Sequence, residues 1–287
     1  MTVRSPHIGI LEGVTVPHNP LQEKIGHFVT RLMMRRPLRA TAVGRRTYAK
    51  MYLFGKHLAE RREQALFRQH VRPGMTVVDM GANVGFYTKQ FSRLVGAAGK
   101  VYAFEPDPFC SELLRDRARA LLLTNVQVEN AALGAREGEA TLFCSNRDRA
   151  ENRTHPLDAG VPVETIRVPV LTLDSYCRSH RIERVDAVKM DVEGDEVSVL
   201  RGMREVMART PPAWMFIEFC PAQLRGAGSR PEEFWDLLAE SGYRSLSIEH
   251  RGELRAIRDT RAFTELQSGS FTNIWAVHRG QPQPDLF

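Results

Sequence analysis

The chain predicts an α/β fold: a mainly parallel sheet flanked by helices, with an antiparallel edge strand. Three observations carry this. Apolar runs of strand length at residues 75–78, 101–104, 125–128, 185–190 and 214–219 are separated by stretches whose apolar residues recur at helical spacing. The first run leads through a turn marked by Gly81 and Gly85 into a helix carrying Phe86, Phe91, Leu94 and Val95 on one side. Near the C-terminus, runs at 243–248 and 271–278 succeed each other with no helix between them, which implies antiparallel pairing at an edge.

The elements follow in order. Leu21, Ile25, Phe28, Val29, Leu32 and Met33 mark an amphipathic helix over 21–34 that Pro37 halts, and Met51, Leu53, Phe54, Leu58, Leu66 and Phe67 mark another over 48–70. Both belong at one edge of the sheet or in a lid. Pro73-Gly74 delivers the chain into the first strand. The second strand stops at Pro106, and Pro108 sits in the first turn of a helix over 109–122. After the third strand, extended segments at 140–144 and 165–170 flank a polar loop at 145–158, an inserted hairpin with a polar tip. Helices over 172–180, 197–207 and 231–241 complete the set. The organisation is a basic helical extension over 1–72, one domain over 73–279 and a short tail over 280–287.

At 287 residues, with 26% charged and 43% hydrophobic residues, the chain is long enough for one sizeable core and lacks the bias of a disordered or repeat protein. The first twenty residues lack a secretory pattern and no apolar run reaches the ~20 residues of a membrane span, so a soluble, cytoplasmic protein is expected. Cys110, Cys144, Cys177 and Cys220 form no C-x-x-C pair, which argues for reduced thiols over a zinc site or disulfide framework. The net charge of +6 is concentrated between Arg31 and Arg72. That stretch reads as a solvated helix face. Nucleic acid or an anionic surface is the alternative, but stacking aromatics are not interleaved as a single-strand platform requires.

The glycine turn reads G-x-x-x-G, without the G-x-G-x-x-G of a dinucleotide site or the G-K-[S/T] of a P-loop. Asp79 closes the strand just before it. A carboxylate facing a helix N-terminus suits a zwitterion, with an ammonium at Asp79 and a carboxylate at the amides around Val84 and Gly85; Gly81, Asn83 and Asp191 belong to the same expected cofactor site. The amino-acid end of S-adenosylmethionine has that form. Glu105, about 26 residues after Asp79, stands where such folds place an acid on a ribose. The loop at Asn130 and Ala131 borders an adenine, Ala131 leaving room while Asn130 either bonds the ring edge or caps a turn. Without the pyrophosphate fingerprint, a nicotinamide-dependent oxidoreductase is disfavoured.

Asp191-Val192-Glu193-Gly194-Asp195-Glu196 places four acids at the end of the fourth strand, where ligands of open α/β sheets bind. Asp195 and Glu196 open the next helix and complement its dipole. Asp191 and Glu193, with Glu218 near the end of the fifth strand, are left as candidates for catalysis, Asp191 first as general base. Lys189 projects to the same face as Asp191, either as a structural ion pair or as a catalytic group. No oxygen ligands stand at a recognisable Mg²⁺ spacing, so no metal is expected.

With these residues in place, the chain resembles the FkbM-type S-adenosylmethionine-dependent methyltransferases. The likeness lies in residues 78–88 (V-D-M-G-A-N-V-G-F-Y-T), 104–106 (F-E-P), 130–134 (N-A-A-L-G) and 189–196 (K-M-D-V-E-G-D-E), with V-L-R-G at 199–202. The resemblance implies a Rossmann-like class I methyltransferase fold with a seven-stranded sheet, S-adenosyl-L-methionine as cofactor, and transfer to a hydroxyl of a small molecule such as a sugar, glycoside or polyketide. A nucleic-acid methyltransferase is the alternative, and a non-catalytic binding module a more distant one. The oligomeric state is not legible.

Overall fold

The computed structural model describes residues 41–145, 152–156, 163–250, 253–256 and 272–280. The expected helix over 21–34, position 271 of the last strand and the tail beyond residue 280 lie outside them. Helix α1 (Ala42–Ala59) begins at Thr41, whose side chain accepts from the Gly44 amide at 3.0 Å. Helix α2 (Arg61–His70) follows at once. The continuous helix expected over 48–70 is broken at Glu60, which leaves helical geometry at ψ +33° while its carboxylate turns back to Lys56 at 2.6 Å.

Strand β1 (Thr76–Met80), α3 (Phe86–Val95), β2 (Lys100–Phe104), α4 (Pro108–Ala120) and β3 (Val126–Glu129) form the first parallel units. The insertion comprises β4 (Ala132–Leu133), β5 (Gly138–Ser145) and β6 (Val163–Leu171), a separate three-stranded sheet in which β5 and β6 make the expected antiparallel hairpin. Then come α5 (Leu173–Ser179), β7 (Ala187–Met190), α6 (Glu196–Arg201), α7 (Arg204–Arg209), β8 (Trp214–Phe219), α8 (Pro221–Gly226), α9 (Pro231–Glu240), β9 (Tyr243–His250), β10 (Glu253–Ala256) and β11 (Thr272–His278). The helix expected over 197–207 is split into α6 and α7 around Gly202, on which a Cβ would lie 2.0 Å from the Gly134 carbonyl oxygen. The main sheet runs β10-β9-β11-β8-β7-β1-β2-β3.

One expectation is corrected here and one is extended. The sheet has eight strands instead of seven, because the short Glu253–Ala256 segment pairs with β9. The expected antiparallel edge is present but is built of several strands: β10 pairs antiparallel with β9 at the border of the sheet, and β11 runs antiparallel between β8 and β9. The apolar run of β11 explains its position, since Ile274, Trp275 and Ala276 are fully buried, as a strand paired on both sides and covered on both faces requires.

Strand alternation divides the core. Val78, Met80, Val188, Met190, Met215 and Ile217 face one layer, while Val77, Val101, Ala187, Trp214 and Phe216 face the other. Phe67 of α2 is fully buried in the second layer, with ring centroids 5.0 Å from Tyr87, 4.9 Å from Phe91 and 5.0 Å from Phe216. Helix α2 therefore packs on a sheet face and not at an edge. Helix α1 packs on α4 through Tyr48 and Phe109, with Arg45 paired to Glu112 at 2.8 Å. All four cysteines are buried and none is joined to another in a disulfide. Among the described residues no helix is long and apolar enough to cross a membrane.

Candidate active site

Parallel register brings the carboxyl ends of the central strands into line: Met80 lies beside Phe104 on one side and Met190 on the other, and Met190 beside Ile217. The residues just beyond share one rim. Gly81 adopts φ +71°, and a Cβ there would fall 1.8 Å from the Asp191 carbonyl oxygen. Gly85, at φ +78°, has Leu114 in the same relation at 2.2 Å. Both glycines thus combine left-handed backbone with close packing against protein atoms, the Asp191 carbonyl at Gly81 and the Leu114 side chain at Gly85.

The amides of the turn are largely engaged. Asn83 donates its N–H to Glu105 Oε2 at 2.7 Å, Val84 to Asn83 Oδ1 at 2.8 Å, and Gly85 to the Ala82 carbonyl at 2.9 Å. This corrects the expectation that the amides around Val84 and Gly85 stand open to an anion. The first bond of α3 runs from the Lys89 amide to the Gly85 carbonyl, so the N–H groups of Phe86, Tyr87 and Thr88 are the ones lacking an intrahelical acceptor. Glu105 also accepts from the Asp107 amide at 2.9 Å, leaving one lone pair free on each oxygen. Burial, then Asp107, pushes its carboxyl up to about 8.

Asp79 is fully buried. Thr88 donates to its Oδ2 at 2.6 Å, whereas Oδ1 has no hydrogen-bond partner among the described residues. Burial raises its carboxyl pKa against the opposing pull of Lys189 and Thr88. Asn130 takes the turn-capping alternative: its amide donates to the Glu105 and Pro106 carbonyls, both at 2.9 Å. Ala131 is buried beside it.

The opposite side of the rim gathers Asp191, Glu193 and Glu218, one oxygen of each lying within 4.8 Å of the others. Spacing along the chain did not reveal this convergence, because Glu218 arrives on a different strand. Lys189 Nζ donates to Asp191 Oδ2 at 2.9 Å and to the Gly81 carbonyl at 3.3 Å. Burial works to raise the Asp191 pKa, but Lys189 and then Lys56 outweigh it and hold the carboxyl below its usual range. Glu218 is pushed up to about 8 by burial and the nearby Asp191. Glu193 rises well above its usual range through burial, then Glu218 and Asp191, although Gln223 donates to it. The arrangement is one carboxylate held in its ionised form by lysine beside two whose pKa values are raised.

Lys56, Tyr87 and Gln223 are the neighbours that sequence reasoning missed. Lys56 and Lys189 approach the Tyr87 ring with centroid distances of 5.9 Å and 5.7 Å. Lys56 comes from α1, within the stretch read as a solvated face; nothing in its sequence neighbourhood distinguishes it from Lys50. The latter is exposed, as are Arg46, Arg61, Arg62, Arg68 and Arg72.

Comparison with known proteins shows the family of the chain. The methyltransferase FkbM domain matches residues 79–245, more than half of the chain. The 2-O-methyltransferase NoeI of Sinorhizobium fredii (strain NBRC 101917 / NGR234) is 25% identical over 171 residues, covering 53% of this chain and 66% of that protein. Methyltransferase 1 of Beauveria bassiana (strain ARSEF 2860) is 28% identical over 145 residues, covering 44% and 57%. A solved SAM-dependent methyltransferase from Aquifex aeolicus aligns at 20% identity and a TM-score of 0.39, over 75% of this chain and 88% of that one. The chain spans under two thirds of the length of these two curated relatives. The matched domain, over more than half of its length, makes the chain a member of the FkbM methyltransferase family, with S-adenosylmethionine as cofactor.

Proposed function

We propose that the protein methylates a hydroxyl oxygen on a small molecule of the sugar, glycoside or polyketide type. The observation that carries this reading is the convergence of Glu193 and Glu218 beside the ion-paired Asp191. A hydroxyl must lose its proton as it attacks, and a base works best with a pKa near the operating pH. Glu218, held at about 8, meets that condition. Asp191, first in line from the sequence, is pinned to Lys189 and is the weaker base. Its role is to hold Lys189 and, through it, the Gly81 turn. The 2-O-methyltransferase activity in NoeI's name supports an oxygen acceptor.

The β1–β2 side fits the cofactor. Asp79 Oδ1, a buried oxygen without a partner among the described residues, is suited to an ammonium, and the free lone pairs of Glu105 are suited to ribose hydroxyls. The first amides of α3 would receive the cofactor's carboxylate, and Ala131 would leave space for its adenine. When bound, S-adenosylmethionine supplies an electrophilic methyl on its sulfonium. The chain's own part is to orient the acceptor and take its proton at the Glu193–Glu218 pair; the scheme uses no metal, although one oxygen each of Asp191, Glu193 and Glu218 could ligate one.

The test is transfer of labelled methyl from S-adenosylmethionine to a panel of free hexoses, nucleotide-linked hexoses and hydroxylated macrolactones. Labelling of one of these, lost in Glu218→Gln, supports the proposal. Label reaching only RNA, in a salt-sensitive manner, would move the assignment to the nucleic-acid alternative.

A further inference from the structure

The loop between β5 and β6 was expected only to connect two strands, but its residues 152–156 tie together both sides of the rim. Asn152 donates to Asp107 Oδ2 at 2.8 Å, next to Glu105, and its Oδ1 accepts from the Ser145 amide at 2.9 Å. Arg153 pairs with Phe143 through both backbone groups. Thr154 donates to Asp195. His155 is 7% exposed.

The surroundings of the His155 ring are specific. A Cβ on Gly194 would lie 2.8 Å from its Cε1, and one on Gly226 would lie 2.9 Å from its Cδ2. The imidazole therefore occupies space between two backbones, neither of which has room for a side chain. Gly194 follows Glu193, which holds the unusual φ of +54°, and Gly226 ends α8, the helix that offers Gln223 to Glu193. A Cβ on Gly194 would also stand 2.6 Å from the Gln223 carbonyl oxygen. The ring is thus a spacer between the turn bearing Glu193 and the helix that bonds it.

We propose that His155 is a positioning residue: wedged between Gly194 and Gly226, it holds Glu193 within the carboxylate cluster, while Asn152 anchors the same strap beside Glu105. This rests on the role given to Glu193 above. It adds a contribution from the insertion, far in sequence from the motifs, to how the acceptor's proton is taken.

Two variants disturb the wedge from opposite sides. His155→Ala removes the ring. Gly226→Ala pushes on it alone, because the three nearest atoms to the new Cβ all belong to that ring. Amide hydrogen exchange, with and without S-adenosylhomocysteine, is expected to speed up over residues 192–195 in both variants and to stay unchanged over 81–88. The double variant should match His155→Ala, since no ring remains to be displaced. With whichever hydroxyl compound of the panel is labelled, kcat should fall roughly tenfold while the KM for S-adenosylmethionine holds, as misplacement of a reacting group predicts. Exchange altered only within 152–156, or effects that add in the double variant, would overturn the proposal. Absence of both S-adenosylhomocysteine binding and transfer in the unmodified protein would instead defeat the methyltransferase reading, and the exchange measured without ligand would still judge the wedge.

Discussion

The β1–β2 side of the cleft and the β7–β8 side both present carboxylates, yet they hold them differently. On the first, partners come from the β1–β2 unit itself: Thr88 reaches Asp79 from nine residues away, and Glu105 accepts amides from Asp107 and Asn83. On the second, partners converge from distant segments. Gln223 is thirty residues from Glu193, Glu218 lies on another strand, and Lys56 projects from a helix that precedes the matched domain. The first side is pre-formed by its own loops. The second has a charge state that belongs to the group as a whole, so a change to one member alters the others.

The largest effect expected from breaking this contrast is on stability. Lys189→Met leaves Asp191 without its nearest counter-charge in a buried setting and should lower the unfolding free energy by about 3–5 kcal/mol, measured by urea denaturation. The exposed Arg45–Glu112 pair is the control, because Arg45→Met should change it by less than about 1 kcal/mol. Equal losses would mean that Lys189 is not a buried charge partner.

Next comes chemistry. Glu218→Gln should reduce kcat by ~10²-fold or more with little change in S-adenosylhomocysteine affinity. Should Asp191→Asn alone produce that loss in a stably folded protein, the base would be Asp191 as the sequence first indicated. A smaller effect belongs to the β1–β2 side: Asp79→Asn should weaken S-adenosylhomocysteine about tenfold by calorimetry, the scale of one charge-assisted hydrogen bond. Unchanged affinity would remove Asp79 from the binding scheme.

The pH dependence is subtler. Glu105, Glu196 and Glu218 sit at about 8 in the folded chain against an ordinary value of 4.5, burial being the main cause in each. A carboxyl raised on folding binds more protons in the native state, so its contribution is present below 4.5 and lost as pH rises through about 8. The thermal midpoint should therefore be lower at about pH 8.5 than at about pH 6, with a smaller drop in Glu196→Gln. Turnover should rise across the same interval as Glu218 ionises. Opposite trends would refute the burial argument. Dialysis against EDTA should change kcat least of all, and a loss reversed by Mg²⁺ would show that the carboxylates take a metal.

The strands of the parallel half were legible because each is a short apolar run between turn residues, a signal independent of neighbours. Glu253–Ala256 was not, since four residues with alternating charge become a strand only when β9 supplies a partner. Gly81 and Gly85 were legible as turn glycines, but what fills the space beside them was not: Asp191 and Leu114 arrive from other segments. Asn130 left two readings open because its amide finds the Glu105 and Pro106 carbonyls only once β2 and β3 are paired.

The amino-acid order alone determined the parallel units, the sites of the strand-end acids and the likeness to the FkbM methyltransferases, because hydrophobic period and turn chemistry act over a few residues. Only the tertiary structure decided that β11 lies inside the sheet, that Lys56 joins the carboxylates and that His155 sits between two glycines. Those outcomes depend on which distant segments become neighbours, and burial, which sets the protonation of Glu193 and Glu218, exists only after they have.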